Sequence, residues 1–467
     1  MGEYDAIIVG CTISTLISGL SLLKEGYKVL ILDKANSIGE LYEEIKIGRF
    51  NFYSNLDCLC LNSSLYDYSL NSILTNCNID STLNAVNMNC FCNVIINNKN
   101  YTIPFGIDEF ISYLNDNILD SKEVLEKLFE YAKDTREAID YIYSNCDNID
   151  YSILRKEHKR FWSISDSSLS NGLENLNITG DLRDVLLRIS IFFGNISEDM
   201  AFVDYLLFLI NGVEYGIRIV EGGNNTLFNL LLKKYNDLNG SLRLSANVIS
   251  IIVEDEVING VRLDNGEAIY TNKLIMNDRM SNVYELIDPC NVPRKALKHC
   301  NKLVNGAKVF SLHIGVSDNF NLKTGLYIID EKTIAHNYSR SSNKMISIYR
   351  YMSDSELKKI NQKNMLQFND TLAMNLIDNI SSTLGINITD FIEEIKVISV
   401  FDNSELKYEP ILNNGVLFRM INVNNEKYIQ GLYVIDGFDA DLFSYDSSLL
   451  AALNVVKYFA KEGSSNE

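Results

Sequence analysis

Apolar and polar positions form three regular blocks over the first 33 residues. An apolar run at residues 5–9 leads into Gly10, as in a buried parallel strand that ends in a tight turn. In residues 13–24 the apolar positions recur at helical spacing, and after Gly26 a second apolar run closes at Asp33. The pattern predicts a strand, a helix and a second strand that together form a βαβ unit.

A similar succession returns in the middle of the chain. Gly222 and Gly223 precede a stretch with helical spacing, and residues 240–254 then have the character of a strand. Residues 257–267 indicate strand, turn and strand, and residues 274–277 indicate a further strand. These elements predict a second part of the domain that the βαβ unit begins.

The regions between these segments show a different pattern. Residues 105–200 mostly have helical spacing, whereas residues 308–316 have the character of a strand. The apolar stretch at residues 186–193 can line an apolar tunnel or pack as a core helix, and both interpretations stay open. We therefore expect a second domain of helices and strands.

Composition and charge narrow the class of protein. Hydrophobic residues make up 46% of the 467 residues, which is typical of a globular chain with more than one core. A net charge of −19 makes nucleic acid and anionic membrane surfaces unfavourable partners. Residues 1–5 lack a basic leader, and apolar runs such as residues 206–210 are too short to span a membrane. We expect a cytoplasmic protein without a transmembrane segment, although transient membrane contact stays open.

Cysteine usage argues against a disulfide framework or a metal site. Nine cysteines occur without secretory context, and two C-x-C pairs, Cys58/Cys60 and Cys90/Cys92, place both thiols of a pair on one face of a strand. None of the four histidines stands at metal-ligand spacing from these cysteines. We therefore predict buried free thiols and no metal.

The βαβ unit carries part of a dinucleotide-binding pattern. Asp33 follows Gly10 by 23 residues, where an acid at the end of the second strand can accept hydrogen bonds from a ribose. The second and third glycines of the G-x-G-x-x-G pattern are replaced by Thr12 and Thr15, although those glycines admit the pyrophosphate and bring helix and strand close. Either the threonine hydroxyls bind phosphate in a displaced pose, or the unit persists with the nucleotide lost or weakly bound.

The glycine pair at 222–223, the helix after it and the strands up to residue 277 resemble the phytoene desaturase family. That family lies in a superfamily with the FAD-dependent amine oxidases and the Rab GDP-dissociation inhibitors. The resemblance implies an α/β fold: a Rossmann-like FAD/NAD(P)-binding domain with an inserted α+β substrate domain of mixed sheet and helices. It assigns residues 1–62, 216–290 and 426–467 to the first domain, and residues 63–215 and 291–425 to the second. It also implies FAD as cofactor, with a backbone contact from Val248 to the adenine end.

Three places depart from the family pattern. The Arg-x-Gly-Gly sequence near the flavin is reduced to Gly39, and the carboxyl-terminal Gly-Asp is replaced by Asp436-Gly437, followed by bulky and acidic residues. With the two threonines of the turn, these changes predict a degenerate cofactor site, for which the Rab GDP-dissociation inhibitors look like a precedent. If a nucleotide binds, we expect it to contact Gly10, Thr12, Thr15, Asp33, Gly39, Val248, Asp436 and Gly437.

Two residues of the substrate domain are candidates for chemistry. His313 can supply an acid or base near neutral pH, or it can be a satisfied structural histidine. Arg350, flanked by tyrosines, can contact a substrate. The first hypothesis is a divergent FAD-type oxidoreductase or isomerase that acts on an apolar small molecule or peptide. The alternative is a flavin-free descendant that binds a lipid, peptide or protein partner or catalyses a non-redox step.

Overall fold

The computed structural model describes residues 3–53, 58–59, 74–75, 79, 84–145, 149–193, 198, 200–216, 218–278, 280–292, 294, 308–361, 363–399, 428–435, 452 and 455. The helices within them are α1 (Ile13–Lys24), α2 (Ile107–Asn117), α3 (Lys122–Ser144), α4 (Tyr151–Glu157), α5 (Lys159–Ile164), α6 (Leu169–Asn175), α7 (Gly180–Ile189), α8 (Phe202–Tyr215), α9 (Gly223–Asp237), α10 (Met280–Glu285), α11 (Asp354–Leu357) and α12 (Met365–Leu384). Short 3-10 helices span Glu40–Tyr42, Ser190–Phe193, Pro289–Asn291 and Ile388–Phe391. Among the described helices, none combines the length and the apolar character that crossing a membrane requires.

The described strands form five sheets. They are β1 (Ala6–Val9), β2 (Val29–Leu32), β3 (Ile45–Ile47), β4 (Phe50–Phe52), β5 (Cys58–Leu59), β6 (Ala85–Asn87), β7 (Cys92–Ile96), β8 (Lys99–Ile103), β9 (Arg218–Val220), β10 (Ser241–Arg243), β11 (Val248–Glu254), β12 (Val257–Leu263), β13 (Ala268–Tyr270), β14 (Leu274–Met276), β15 (Lys308–Val316), β16 (Gly325–Ile328), β17 (Thr333–Arg340), β18 (Asn343–Met352), β19 (Ile392–Ile398) and β20 (Leu432–Val434).

A parallel five-stranded sheet forms the centre of the nucleotide-binding part. Its strand order is β10-β2-β1-β14-β20, and every neighbouring pair is parallel. The strands β1, β2 and β14 are entirely apolar because both faces are covered, one by α1 and α9 and the other by the antiparallel sheet β11-β12-β13. The predicted βαβ unit and its later continuation are therefore confirmed.

Close packing of α1 on α9 is possible because of one glycine. A Cβ atom at Gly19 would lie 2.8 Å from the ring of Tyr235 on α9. The Tyr235 hydroxyl donates to the carbonyl oxygens of Val29, at 3.2 Å, and Ser241, at 3.0 Å. Tyr235 thus connects α9 to β2 and β10 while its ring fills the space above Gly19.

The substrate part is built on a seven-stranded mixed sheet with the order β19-β15-β18-β17-β16-β7-β8. All of its neighbouring strands are antiparallel except β16 and β7. The outer face packs on α12 through residues such as Leu376 and Ile380, and the inner face shares one core with α2–α8. The expected mixed sheet with covering helices is confirmed.

The apolar stretch at residues 186–193 belongs to the hydrophobic core. It spans the end of α7 and the following 3-10 helix, and Leu186, Ile189 and Ile191 are fully buried in the inner-face core. This packing favours the core-helix interpretation over a tunnel lining.

The carboxylate of Asp140 on α3 is expected to destabilise the fold above neutral pH. Its burial raises the pKa to about 7, and the Oδ1 atom has no hydrogen-bond partner. Because the pKa of Asp140 is higher in the folded than in the unfolded chain, the free energy of unfolding falls as pH rises from the ordinary carboxyl pKa to about 7. We predict that Asp140→Asn raises the free energy of unfolding by about 1 kcal/mol at pH 8, after allowance for partial exposure, and changes it little at pH 4.

Urea denaturation at both pH values checks this prediction. The matched control is Glu126→Gln on the same helix, because Glu126 is exposed and its pair with Lys122 lies at the surface. An Asp140→Asn variant that is no more stable than wild type at pH 8 contradicts the assigned burial cost.

Candidate functional site

The turn between β1 and α1 brings the first predicted nucleotide contacts together. Gly10 has φ +97°, and a Cβ atom there would lie 3.3 Å from the Cβ atom of Asn277. The Gly10 amide donates to the Leu32 carbonyl at 2.8 Å, which joins the carboxyl ends of β1 and β2. A left-handed residue in so close a turn must be glycine.

The two threonines of the turn cap α1 with their own hydroxyls. The Thr12 amide donates to Thr15 Oγ1 at 2.7 Å, and the Thr15 amide donates to Thr12 Oγ1 at 3.4 Å, so that the pair forms a capping box. Asn277 Nδ2 also donates to Thr12 Oγ1, at 2.9 Å. The first amides of a helix are the donors that a dinucleotide phosphate uses in this fold.

Tyr42 satisfies a further amide at the same helix end. Its buried hydroxyl accepts a hydrogen bond from the Ile13 amide at 3.1 Å, and its ring packs on Phe228 of α9 with centroids 4.9 Å apart. Gly39, with φ +75°, precedes this turn, and a Cβ atom there would lie 2.7 Å from the Phe228 ring. The sequence patterns do not single out Tyr42; the one signal for it is an aromatic residue three positions after the retained Gly39.

Asp33 is bound to the backbone of the turn and of its own loop. Its Oδ2 accepts from the Cys11 amide at 2.5 Å, and its Oδ1 accepts from the Ala35 amide at 2.7 Å. The Asp33 carbonyl in turn accepts from the Ala246 amide at 2.8 Å. Val248 begins β11 two residues after Ala246, and its contact with the adenine end of a cofactor stays a prediction.

The predicted nucleotide contacts are thus only partly brought together. Gly10, Thr12, Thr15 and Asp33 surround one helix end, and Gly39 approaches it through Phe228 and Tyr42. Val248 lies on β11, two residues after Ala246, whose amide donates to the Asp33 carbonyl. Asp436 and Gly437 lie outside the described residues. The role of these residues in nucleotide binding stays a prediction.

The described residues do not fit a bound FAD pyrophosphate in this arrangement. The amides of Thr12, Ile13 and Thr15 donate to side-chain hydroxyls of the chain itself. The pyrophosphate would have to displace the buried Tyr42 hydroxyl and open the capping box before it could reach these donors. The threonine side chains also stand where the family has no side chain.

His313 lies on the inner face of the mixed sheet. It is fully buried on β15, its Nδ1 atom is 2.9 Å from Ser347 Oγ, and its ring is 5.3 Å from that of Phe52. Burial lowers the pKa of His313 to about 3, so the ring is neutral at pH 7 and is a poor general base.

Arg350 lies on the opposite face of the sheet. Its register partners on β15 and β17 are Phe310 and Thr333, and Phe310 belongs to the core on the α12 side. The guanidinium donates to Glu356 Oε1 at 3.1 Å. His313 and Arg350 are therefore not brought to one site, and their catalytic roles stay predictions.

A second buried histidine, which the sequence patterns do not single out, completes a row across three strands. His336 on β17 and His313 on β15 are both register partners of Ser347 on β18. We call His313, Ser347 and His336 the histidine row. The Tyr338 hydroxyl is 3.3 Å from Ser347 Oγ, and the His336 ring stacks on that of Tyr338 with centroids 4.5 Å apart. The available signal was a histidine on the alternating strand at residues 333–340.

Arg340 connects the inner face of the mixed sheet with the nucleotide-binding part. It forms an ion pair with Glu44, its guanidinium lies 5.1 Å from the centre of the Tyr53 ring, and Tyr53 stacks on Tyr338. A Cβ atom at Gly222, before α9, would lie 3.8 Å from Arg340 Nη2. The histidine row and the capped helix end therefore belong to the two sides of one junction.

The chain has weak sequence similarity to two curated proteins. It is 24% identical over 339 residues to a chloroplastic prolycopene isomerase of Daucus carota, covering 68% of this chain and 53% of that protein. It is 29% identical over 107 residues to a lycopene-forming phytoene desaturase of Pseudescherichia vulneris, covering 22% of this chain and 21% of that protein. The chain therefore spans about half or less of these relatives. No family model matches the sequence.

Solved structures with the same fold cover nearly the whole chain. An oxidoreductase from Methanosarcina mazei has a TM-score of 0.66 at 14% identity and covers 97% of this chain and 99% of its own. Putrescine oxidase bound to putrescine has a TM-score of 0.66 at 14% identity, covering 98% and 99%. A Rab GDP-dissociation inhibitor from Plasmodium falciparum has a TM-score of 0.52 at 12% identity, covering 98% of each chain. The fold is that of the FAD-dependent oxidoreductases, and the resemblance to the phytoene desaturase family and its superfamily is confirmed.

The capping hydroxyls are expected to stabilise the protein. Thr15→Ala removes the acceptor of the Thr12 amide, and we predict that it lowers the free energy of unfolding by about 1 kcal/mol. Urea denaturation measures the change. Thr371→Ala on α12 is the matched control because the Thr371 hydroxyl binds only the exposed Gln367 carbonyl. Equal small effects at both sites would contradict a structural role for the Thr15 hydroxyl.

The histidine row is expected to make stability depend on pH below 6.5. Burial lowers the pKa of His313 and His336 to about 3, so the unfolded chain binds protons that the folded chain does not. The contribution of the two neutral rings to the free energy of unfolding is fully present above the ordinary histidine pKa of about 6.5. It falls towards pH 3, by about 1.4 kcal/mol per pH unit for each histidine.

Denaturation of wild type and His336→Asn at pH 7 and pH 5 checks this dependence. Between pH 7 and pH 5, the free energy of unfolding that the row contributes should fall about half as much in the variant as in wild type. Identical losses in the two proteins would show that His336 does not contribute.

Proposed function

We propose that this chain is a flavin-free descendant of the phytoene-desaturase-like oxidoreductases and isomerases, and that it binds an apolar small molecule for a non-redox step. The observation that carries the proposal is the helix end itself: the amides of Thr12 and Ile13 at the start of α1 donate to the hydroxyls of Thr15 and Tyr42. Residues in this arrangement serve the stability of the βαβ unit rather than a phosphate.

The energy required to open the capped start of α1 supports the flavin-free proposal. Displacing Tyr42 would expose a ring that is 2% exposed, at roughly 1.5–3 kcal/mol, and break a hydrogen bond worth about 1 kcal/mol. Opening the capping box adds about 1 kcal/mol more. FAD would have to recover these terms from its remaining contacts before it gained net affinity.

The apolar ligand is supported by the relatives and by the retained substrate part. The names of the two curated relatives refer to prolycopene, phytoene and lycopene, which are polyene hydrocarbons. The chain keeps the seven-stranded mixed sheet and the covering helices α2–α8, which together form the substrate part of this fold. The net charge of −19 disfavours nucleic acid and anionic lipid as alternatives.

A flavin-dependent oxidoreductase or isomerase remains the second candidate. The left-handed turn at Gly10 and the acid at Asp33 are both retained at the ends of β1 and β2, as in dinucleotide-binding folds. In that case Asp33 would accept hydrogen bonds from ribose hydroxyls in place of its present hydrogen bonds from the Cys11 and Ala35 amides.

Absorbance spectra test the flavin-free proposal. The purified chain is measured directly and again after incubation with excess FAD and desalting, and we expect no retained flavin bands. Putrescine oxidase treated in the same way is the positive control. Retention of near-stoichiometric FAD by the wild-type chain would refute the proposal in favour of the second candidate.

A variant tests whether the capped helix end is what excludes FAD. Thr12→Gly, Thr15→Gly and Tyr42→Ala are combined, which removes the hydroxyls that accept from the α1 amides and restores both family glycines. We expect this variant to retain measurable FAD after desalting. A folded variant that retains none would show that the cause lies elsewhere in the sequence, such as the replacement of the family's Gly-Asp by Asp436-Gly437.

The apolar-ligand proposal is tested with lycopene carried in detergent micelles. We expect lycopene to co-elute with the folded chain in gel filtration and to separate from chain that has been unfolded in urea. Co-elution with neither sample would contradict this part of the proposal.

A further inference from the structure

Three metal-ligating side chains meet on the helical side of the substrate part. Asp134 and Glu137 lie about one helical turn apart on α3, and His158 lies at the junction of α4 and α5. One carboxylate oxygen or ring nitrogen of each side chain lies within 4.8 Å of those of the other two. The three groups therefore face one point, although 24 residues separate Asp134 from His158. We call these three residues the His158 cluster.

The spacing of the two less exposed groups matches that of two ligands on one cation. Asp134 Oδ1 and His158 Nδ1 are 3.1 Å apart, and their side chains are 12% and 13% exposed. Two ligands held about 2.1 Å from a tetrahedral Zn²⁺ ion lie about 3.4 Å apart. A cation can thus replace the hydrogen bond between these atoms with little movement when the neutral His158 ring carries its proton on Nε2.

The backbone holds both of these groups in place. Asp134 Oδ2 accepts a hydrogen bond from the Phe161 amide at 2.9 Å, while Oδ1 contacts His158. The His158 amide donates to the Leu154 carbonyl at 3.0 Å, and the His158 carbonyl accepts from the Trp162 amide at 2.9 Å. Such outer contacts orient the ligands of metal sites, because a carboxylate that is itself hydrogen-bonded keeps its direction before the metal arrives.

The two carboxylates of the His158 cluster form no ion pair with a lysine or arginine among the described residues. The neighbouring Arg136 and Arg160 pair instead with Glu214 and Glu130. Glu137 is exposed, so its side chain can rotate towards a cation that the other two groups hold. The cluster therefore offers two negative charges and one imidazole at a single point.

The donor set favours a transition-metal cation over Mg²⁺ or Ca²⁺. Imidazole is a good ligand for Zn²⁺, Cu²⁺, Ni²⁺ and iron, whereas Mg²⁺ and Ca²⁺ prefer oxygen ligands. Three protein ligands leave a further position for water, which agrees with a partly exposed site. The sequence expectation of no metal rested on the spacing of histidines from cysteines, and no cysteine belongs to this cluster.

We propose that Asp134, Glu137 and His158 bind a divalent transition-metal cation such as Zn²⁺. The cation ties the middle of α3 to the junction of α4 and α5 and so closes a loop between positions 24 residues apart. It stabilises the helical layer because the folded chain presents the three ligands together and the unfolded chain does not. This inference is independent of the proposed function, since it involves neither FAD nor the apolar ligand.

Titration of the full chain with Zn²⁺ tests the proposal. The chain is treated with a chelator and desalted, and binding is followed by isothermal titration calorimetry. We expect saturable Zn²⁺ binding and at least about tenfold weaker binding of Mg²⁺ and Ca²⁺, which gain little from an imidazole ligand. Zn²⁺ at about 100 times its dissociation constant should raise the urea midpoint of unfolding. Absence of saturable Zn²⁺ binding, or Mg²⁺ binding of equal affinity, overturns the proposal.

The variant Glu137→Gln identifies the ligands with little effect on the fold, because Glu137 is exposed. We expect at least about tenfold weaker Zn²⁺ binding, since even outer contacts of metal ligands contribute about 10- to 100-fold. The Zn²⁺-dependent shift of the urea midpoint should also disappear. The matched control is Glu126→Gln on the same helix, an exposed position whose charge is screened from the cluster, and it should bind within about twofold of wild type. Wild-type affinity in the folded Glu137→Gln variant overturns the proposal.

Substitution of Co²⁺ for Zn²⁺ shows whether thiolates are involved. Cys290 is exposed and offers an alternative ligand. A thiolate gives bound Co²⁺ an intense charge-transfer band in the near ultraviolet, whereas nitrogen and oxygen ligands give only weak visible bands. We expect the weak bands alone in wild type and in Cys290→Ser, and their loss in His158→Asn. A charge-transfer band in wild type assigns the metal to cysteine and overturns the proposal; if His158→Asn does not fold, the affinity of Glu137→Gln decides.

Discussion

The amides at the start of α1 are the constraint on which much of this structure depends. A helix end that is buried against a parallel sheet must find hydrogen-bond acceptors for its first N–H groups. In a dinucleotide-binding domain a phosphate supplies them. Here Thr12, Thr15 and Tyr42 supply them. The same βαβ geometry is therefore maintained by side chains of the protein, and the family glycines are no longer required at positions 12 and 15.

The segment from Gly39 to Tyr53 carries this local change to the substrate part. Tyr42 caps α1, and two residues later Glu44 pairs with Arg340 at the end of β17. Phe52 then packs against His313, and Tyr53 stacks on Tyr338. A displacement of Tyr42 would act on a chain segment that also covers the histidine row. This short stretch of sequence thus connects the two sites.

The histidine row shows how burial determines the chemistry of a residue type. A histidine near pH 7 normally serves as an acid or base, but desolvation removes the charged form of His313 and His336. What remains is a pair of neutral hydrogen-bonding rings held by Ser347 and by stacking on Tyr338. Each ring is therefore a fixed hydrogen-bonding group of the core rather than an acid or base at neutral pH.

The sequence by itself determined the elements whose physics is local. The apolar run, the left-handed turn at Gly10, the helical spacing of residues 13–24 and the acid at Asp33 specify a βαβ unit because strand burial and helix periodicity act over neighbouring residues. The altered glycine positions likewise indicated a changed phosphate site. Only the tertiary structure decided what replaced the phosphate, because Tyr42 reaches α1 from 29 residues away through a hydrogen bond that no pattern encodes. It also decided that His313 and Arg350 lie on opposite faces and that His336 joins His313, because strand register across β15, β18 and β17 is set by long-range pairing.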